Sequence, residues 1–479
     1  MKKQYNIKAI LFISAVLMMG SCTKNFEDIN TNPNQPTVVP LSNLFGGVLV
    51  NFNRAYMVPG GQEANYDGSR LAVGQNTYTG TGVEWGTYYE ALKNIAKVIT
   101  DAQAAGNTNL QAAAITYRAQ MTQIITDQYR DMPYSDAIRA DDGDITPAYD
   151  TQDKIYQQII ADLKTAADIF KSGATGIIGA GDALNGGSAS KWRKYCNSLR
   201  LRVALRISNV DLTTSKSIIN EVLGNPTDYP VMTSNSDNVE MKWPGTSPWQ
   251  SIFWVNWYLY HHNGAGKILV DYLNSYTDPR LPIWFVPATT DGKYRGAEYV
   301  GFSAPNVRED ISDFNPTFVG TNGPPDGYFR YAEICFLKAE MFQRGIATGD
   351  AQAEYYKGID ASMLQYGVTT AKTTTYKTVT GVLWENNNAA DLKKIYIQKY
   401  ISQFLMKNEG WAEGRRNDVP LLPFASGSFL AGHNRAPFRY PYPLSELSLN
   451  SKNAASFITN VKDYYWGQQM WWDKRTGVQ

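Results

Sequence analysis

The chain of 479 residues contains only three histidines, His261, His262 and His433. Two of them close the stretch PWQSIFWVNWYLYHH (248–262), which also carries Trp249, Phe253, Trp254, Trp257, Tyr258 and Tyr260. That stretch has four readings: core, a membrane-touching patch, a metal or catalytic site on the histidines, or a platform for a flat ligand. Adjacent histidines on an extended strand point to opposite sides, a poor geometry for joint chelation, and three histidines are few for such a centre. The acidic run Asp141, Asp142, Asp144 has metal-ligand character but lacks the repeated ligand spacing and closing glutamate of an EF-hand. It reads as a solvated turn, with a calcium site as the alternative.

Other chemical motifs fail on spacing. GAGDALNGG (179–187) lacks the third glycine of a dinucleotide fingerprint, and GAGK (264–267) has His261 where a P-loop needs its first glycine. No G-x-S-x-G elbow occurs, and neither Cys196 nor Cys335 has a histidine nearby in sequence. A carboxylate pair for bond hydrolysis is defined by separation in space, so an enzyme stays open without positive support.

Aromatic composition favours a binding surface. There are 31 tyrosines and 12 tryptophans against 18 phenylalanines, and polar-tipped rings suit half-wet surfaces. Ring faces match the C–H faces of sugars, while neighbouring Asn, Asp and Arg supply orienting hydrogen bonds. Any single tryptophan, taken alone, is still more often core. Read as strand or as helix, 248–262 sends Phe253 and Trp257 to one side and Trp254 and Tyr258 to another. The first pair is expected in the core and the second on a ligand platform, with the two histidines as bystanders or hydrogen-bonding partners.

Helices must position these residues. Helical periodicity runs over 90–105, 110–129, 152–170 and 190–207. In the last, Trp192, Cys196, Leu199 and Val203 share a face while Arg193, Arg200 and other basic residues lie off it. Asp150 stands where an N-cap is expected for the 152 helix, with Asp153 three residues on. In 330–368, Ala332, Phe336, Ala339 and Phe342 face Ala353, Tyr356, Ile359 and Met363 across breaks at Gly345 and Gly349. That is the logic of a tetratricopeptide-like hairpin, or of an ordinary antiparallel pair. Between 225 and 327 Pro, Gly, Asn and Asp become dense. AEYVGF and PIWFVPA read there as strands or extended loops, and one short helix lies near 264–273. Long ordered loops are commonly functional. From 410 the chain is again loop-rich, and the prolines of RAPFRYPYPLSEL (435–447) force extended backbone.

The N-terminus, MKKQYNIKAILFISAVLMMGSC, reads as a secretory signal over 1–21. Met19-Gly20-Ser21-Cys22 looks like a lipobox, with Cys22 acylated as the mature N-terminus; the alternative is a cleaved signal with a chance cysteine. Residues 22–40 read as a polar tether. Three of the 45 basic residues precede Cys22 and none of the 44 acidic ones does, leaving 42 against 44. That balance argues against nucleic acid and anionic headgroups as main partners. Cys196 and Cys335 are expected as buried free thiols.

ITDQYRDMPYSDA (125–137), PAYDTQDKIYQQIIADL, RYAEICFLKAE, IYIQKYISQF (395–404), WAEGRRNDVPLL (411–422) and FRYPYPLSELSLN together resemble the SusD/RagB family of nutrient-binding outer-membrane lipoproteins, in its SusD-like branch. The match covers essentially the whole mature chain, in the family's order. It implies a mainly α fold with four tetratricopeptide-like helix pairs as scaffold (about 41–224 and 328–408). An irregular ligand-binding part with short strands (about 225–327) packs against them, and 41–479 forms a single domain. It further implies a surface protein capping a TonB-dependent, SusC-like transporter and catching oligosaccharides, or in some branches peptides, without chemistry and without a cofactor. Glu27 and Asp28 are similar to the family's surface-export signals. Only a neighbourhood carries over for the ligand: the loop before the W..YY.AL.N helix, with Tyr78 and Trp85, and the region Trp243 to Phe302. Within it Trp243, Trp249, Trp254, Asn256, Tyr258, Trp284 and Tyr294 are the candidates.

Overall fold

The computed structural model describes residues 39–478 apart from 57–60, 62, 70–82, 139–142, 144, 252, 256–262, 299–306, 423–432 and 460–465. Cys22, Glu27, Asp28, Tyr78, Asp141, Asp142, Asp144, Asn256, Trp257, Tyr258, His261 and His262 therefore lie outside the described residues.

The periodic segments are helices close to their expected bounds: α1 (Leu41–Tyr56), α2 (Val83–Ala104), α3 (Thr108–Tyr129), α4 (Gln152–Lys171), α5 (Ala189–Ile207) and α6 (Leu212–Gly224). Each of α1 to α4 packs on the next, and α5 packs on α6. Side-chain oxygens of Asn107, Ser188 and Asp211 accept the amides of Leu110, Lys191 and Thr214, which fixes where α3, α5 and α6 begin. The start of α4 departs from expectation. Its N-cap is Thr151, and Asp150 instead accepts the Ser135 amide at 2.7 Å. The Gln152 amide goes to Asp131 Oδ1 at 2.8 Å, a partner that local spacing does not reveal. Every residue of α3 from Leu110 to Tyr129 except Arg118 is buried, so this helix is the axis of the scaffold.

The middle region holds α7 (Lys267–Ser275) and α8 (Leu281–Trp284). PIWFVPA is thus partly helical, not extended, because Pro282 sits in a first turn where its missing N–H costs no hydrogen bond. Phe285 makes a single bridge to Phe314, and Ala297, in AEYVGF, a single bridge to Gly266. Three two-stranded antiparallel ladders are described: β1 (Asp67–Ser69) with β5 (Asn263–Ala265), β2 (Met132–Pro133) with β3 (Tyr149–Asp150), and β4 (Val239–Met241) with β6 (Asp326–Phe329).

The hairpin at 330–368 forms as α9 (Tyr331–Gln343) and α10 (Ala351–Gln365). Ala332, Phe336, Ala339, Ile359 and Met363 share one buried cluster with Tyr355, Tyr356 lies at its edge, and Phe342 packs instead against the main core. A Cβ on Gly358 would stand 2.7 Å from the Phe336 ring, so the small residue permits the helices' approach. Beyond it follow α11 (Thr370–Tyr376), α12 (Asn388–Ser402), α13 (Lys407–Asn417), α14 (Leu444–Leu449) and α15 (Ser451–Thr459). α9 also packs on α5 and α12.

A buried ionic network joins these helices. Arg202 of α5 grips Glu333 of α9 through Nε and Nη2, at 2.6 and 2.7 Å. Arg206, one turn on, bonds Glu409 of α13 and approaches Asp127 of α3 at 3.5 Å. Arg416 of α13 holds Glu340 of α9 bidentately at 2.7 and 2.6 Å, and Lys399 of α12 reaches the same carboxylate at 2.9 Å. Burial alone would raise Glu340, but Arg416 and Lys399 hold it down at about 2. Arg415 lies over the Trp411 ring at 3.7 Å and donates to the carbonyls of Asp127 and Phe438; burial pushes its guanidinium down to about 9. Of the basic residues of α5 that lie off its apolar face, Arg200, Arg202 and Arg206 are core as well, while Arg193 is half-buried.

GAGDALNGG is a packing device. Asp182 accepts the amides of Leu184, Asn185 and Gly187 and the Trp192 indole N–H at 2.7 Å. A Cβ on Gly181 would lie 2.3 Å from the Ser42 carbonyl, so its glycine lets the loop touch α1. Cys196 and Cys335 are buried free thiols, as expected, and burial raises them to about 11 and about 12.

Candidate functional site

The candidate face is assembled where the end of α1 meets the β4–β6 ladder. Met241 stands opposite Asp326 in that ladder. Asp326 Oδ2 accepts from the Trp243 indole at 2.6 Å and from Asn53 Nδ2 of α1 at 2.9 Å. One buried carboxylate therefore ties three elements together. After Trp243 the chain turns at 246–249: the Trp249 amide donates to the Thr246 carbonyl at 2.6 Å, and Gly245 N–H returns to the Trp249 carbonyl at 3.1 Å. Gly245 has φ +85°, a conformation costly for other residues.

This turn presents Trp249, 45% exposed, while the other described tryptophans are buried or half-buried. Arg54, in the last turn of α1, has its guanidinium 5.9 Å from both the Trp243 and the Trp249 ring centroids. Ser251 follows, its amide on the Thr321 carbonyl at 2.9 Å, and a short helical turn then carries Phe253 and Trp254. Phe253 is buried, edge-on to Phe314 at 4.7 Å. Below it the buried pair Lys407 and Asp67 meets at 2.8 Å, and Asn263 donates to Asp67 at 3.1 Å. Trp254 is half-buried. Of the expected pairs, the described members are Phe253, which lies in the core, and Trp254, which is half-buried.

Three candidates require correction. Trp85 is buried, edge-on to Tyr89, Tyr129 and Tyr442, because α2 closes there on α3 and the C-terminal segment. Trp284 is fully buried and stacks on Phe404 at 4.7 Å. Trp243 is buried beneath Arg54, so it supports the face without lining it. Tyr294 is half-buried against the core, and its carbonyl accepts from Asn274. His433 stacks on Trp466 with ring centroids 3.9 Å apart, a structural placement. Sequence reasoning missed Arg54, Asn53 and Asp326. Their partners lie 83 to 273 residues away, and no local pattern marks them.

Burial pushes Asp326 up to about 6, against the hydrogen bonds from Trp243 and Asn53, which favour its charged form. Between about pH 4 and 6 the folded state therefore holds a proton that an unfolded aspartate, with its ordinary value near 3.9, releases. Its contribution is fully present below pH 4 and is lost as pH rises through 6, by up to about 3 kcal/mol. Urea unfolding at pH 4 to 7 is expected to show this fall, and Asp326→Asn to remove it relative to the parent chain. Equal pH slopes in the two proteins would contradict the assignment.

A cavity of ≈ 430 Å³ lies elsewhere, between α2, α3, α4 and the β2–β3 ladder, lined by Arg118, Tyr134, Asp150 and Lys154. None of the candidate aromatics lines it. Among the described residues no group of three or more His, Cys, Asp or Glu is placed to hold a metal ion, and no helix is long and apolar enough to cross a membrane.

A family described as starch-binding and associating with the outer membrane matches residues 40–443. No curated protein matches the chain. Similar solved structures include a chitin-binding protein, 23% identical with a TM-score of 0.76, covering 91% of this chain and 99% of that one. A SusD homologue from Bacteroides uniformis is 21% identical with a TM-score of 0.77, covering 90% and 99%. Another from Bacteroides fragilis is 23% identical with a TM-score of 0.74, covering 92% and 100%. At these identities the likeness establishes a shared fold.

Proposed function

The chain belongs to the SusD-like family, described as starch-binding and associating with the outer membrane, and from this we propose that it catches an oligosaccharide at the cell surface and passes it, unaltered, to a TonB-dependent, SusC-like transporter. A signal over 1–21, acyl chains on Cys22 and a tether to residue 40 would hold residues 41–479, as one domain, at that surface. Each buried methylene adds about 0.8 kcal/mol of anchoring.

The observation that carries the ligand reading is Trp249. An indole face held outward by a hydrogen-bonded turn is costly to leave in water, and sugar C–H faces are apolar surfaces that fit it. Trp254, five residues on and half-buried, is the second ring we assign to the ligand. The chitin-binding relative of the same fold supports a glycan over a peptide.

Calorimetry with a panel of glycans and peptides tests this. A glycan is expected to bind, and Trp249→Ala to weaken it about tenfold or more, since covering an aromatic side chain contributes about 1.5–3 kcal/mol. Trp254→Ala is expected to weaken it less. Unchanged affinity in both variants would remove this platform; a peptide binding where no glycan does would replace the ligand class.

A further inference from the structure

We propose that Arg54 makes this site selective for glycans bearing an anionic group, a carboxylate or a sulfate ester, an inference that rests on the glycan-binding reading. Several other partly exposed arginines hold a carboxylate, Arg118 with Asp162, Arg344 with Glu340 and Arg435 with Asp418, while Arg193 spends its guanidinium on the Thr227 and Asp228 carbonyls. Arg54 holds none among the described residues. Its one hydrogen bond runs from Nη1 to the Pro248 carbonyl at 3.4 Å, so most of the five N–H donors of a guanidinium remain open. Asp326, which shares Trp243 with it, spends its Oδ2 on Trp243 and Asn53.

The cation is also held in place. Indole faces at 5.9 Å fix it between Trp243 and the exposed Trp249. A sugar lying on Trp249 would bring its substituents to the edge of the guanidinium. A planar carboxylate or a sulfate matches that fork with two parallel charge-assisted hydrogen bonds, which a hydroxyl cannot do.

Matched pairs test the proposal by calorimetry: tetragalacturonate against its methyl ester, and a sulfated galactan oligosaccharide against its desulfated form. The parent chain is expected to bind at least one anionic member about tenfold or more tightly than its neutral partner, with a preference that shrinks in high salt. In Arg54→Gln the ratio is expected to fall to about one, and Arg54→Lys is expected to keep part of it. Which pair shows the preference separates carboxylate from sulfate. Neutral glycans binding as well as anionic ones, or Arg54→Gln lowering both members equally, would overturn this inference and leave the proposed function standing. Binding of no glycan at all would overturn both.

Discussion

Glu340→Gln lowers the free energy of unfolding by about 3–5 kcal/mol, the loss expected when one member of a buried ionic cluster is removed and its partners stay behind. Glu340 is fully buried, and its two oxygens accept from Arg416 twice, from Lys399 and from Arg344. Glutamine keeps one acceptor, removes the charge and turns an NH₂ toward cations. Arg416 and Lys399 would then share Glu413 alone as an anion, at a buried site where bulk solvent screens them little. A double variant that also replaces Arg416 by methionine recovers part of the loss, because the stranded cation goes with its partner. Urea midpoints with an unchanged slope are the measurement. A loss below about 1 kcal/mol, or strict additivity, would contradict the network as described.

Trp284→Ala is the second large effect, and it separates core from ligand face. The indole is fully buried, stacked on Phe404 at 4.7 Å and edge-on to Tyr366 at 4.9 Å. Its removal leaves a large void, with an expected loss of about 3–5 kcal/mol, while glycan affinity of the folded fraction stays at the parent value. Trp249→Ala is expected to do the reverse, with stability changed by less than about 1 kcal/mol and affinity lost. A stable Trp284→Ala protein that no longer binds glycan would show that the two tryptophans had been assigned to the wrong sides.

The motifs that carry the family resemblance mark the scaffold. Asp127 in ITDQYRD, Glu333 and Glu340 in RYAEICFLKAE, Lys399 in IYIQKY and Glu413 and Arg416 in WAEGRRND all meet in the one buried network. Tyr400 of IYIQKY stacks on Tyr66 at 4.6 Å and donates to the Ala64 carbonyl, which anchors the segment leading into β1. Tyr442 of FRYPYP donates to the Asp131 carbonyl. Ionic residues that converge from five helices need fixed identities, so they leave recognisable words in a sequence. Helix spans were legible for a different reason, since apolar residues at steps of three and four must share a face.

The candidate site left no such words. Trp249 and Trp284 lie in the same irregular region and look alike by type; only the turn at 246–249 and the packing around Phe404 separate an exposed ring from a core one. The strand and helix readings agreed on Phe253 and Trp254 because both periodicities place them apart, and that division was recoverable. Arg54 was not, because its function depends on a carboxylate it lacks and on two rings about 190 residues away.

The central claim is that the chain binds a glycan and leaves it intact. The most direct measurement incubates purified protein with the tightest binder of the calorimetric panel and follows the bound and free sugar by chromatography over hours. The expected result is saturable binding with the glycan recovered at its original length at every time point. Shorter fragments that accumulate with time, and stop doing so when a single carboxylate of the protein is replaced, would contradict it.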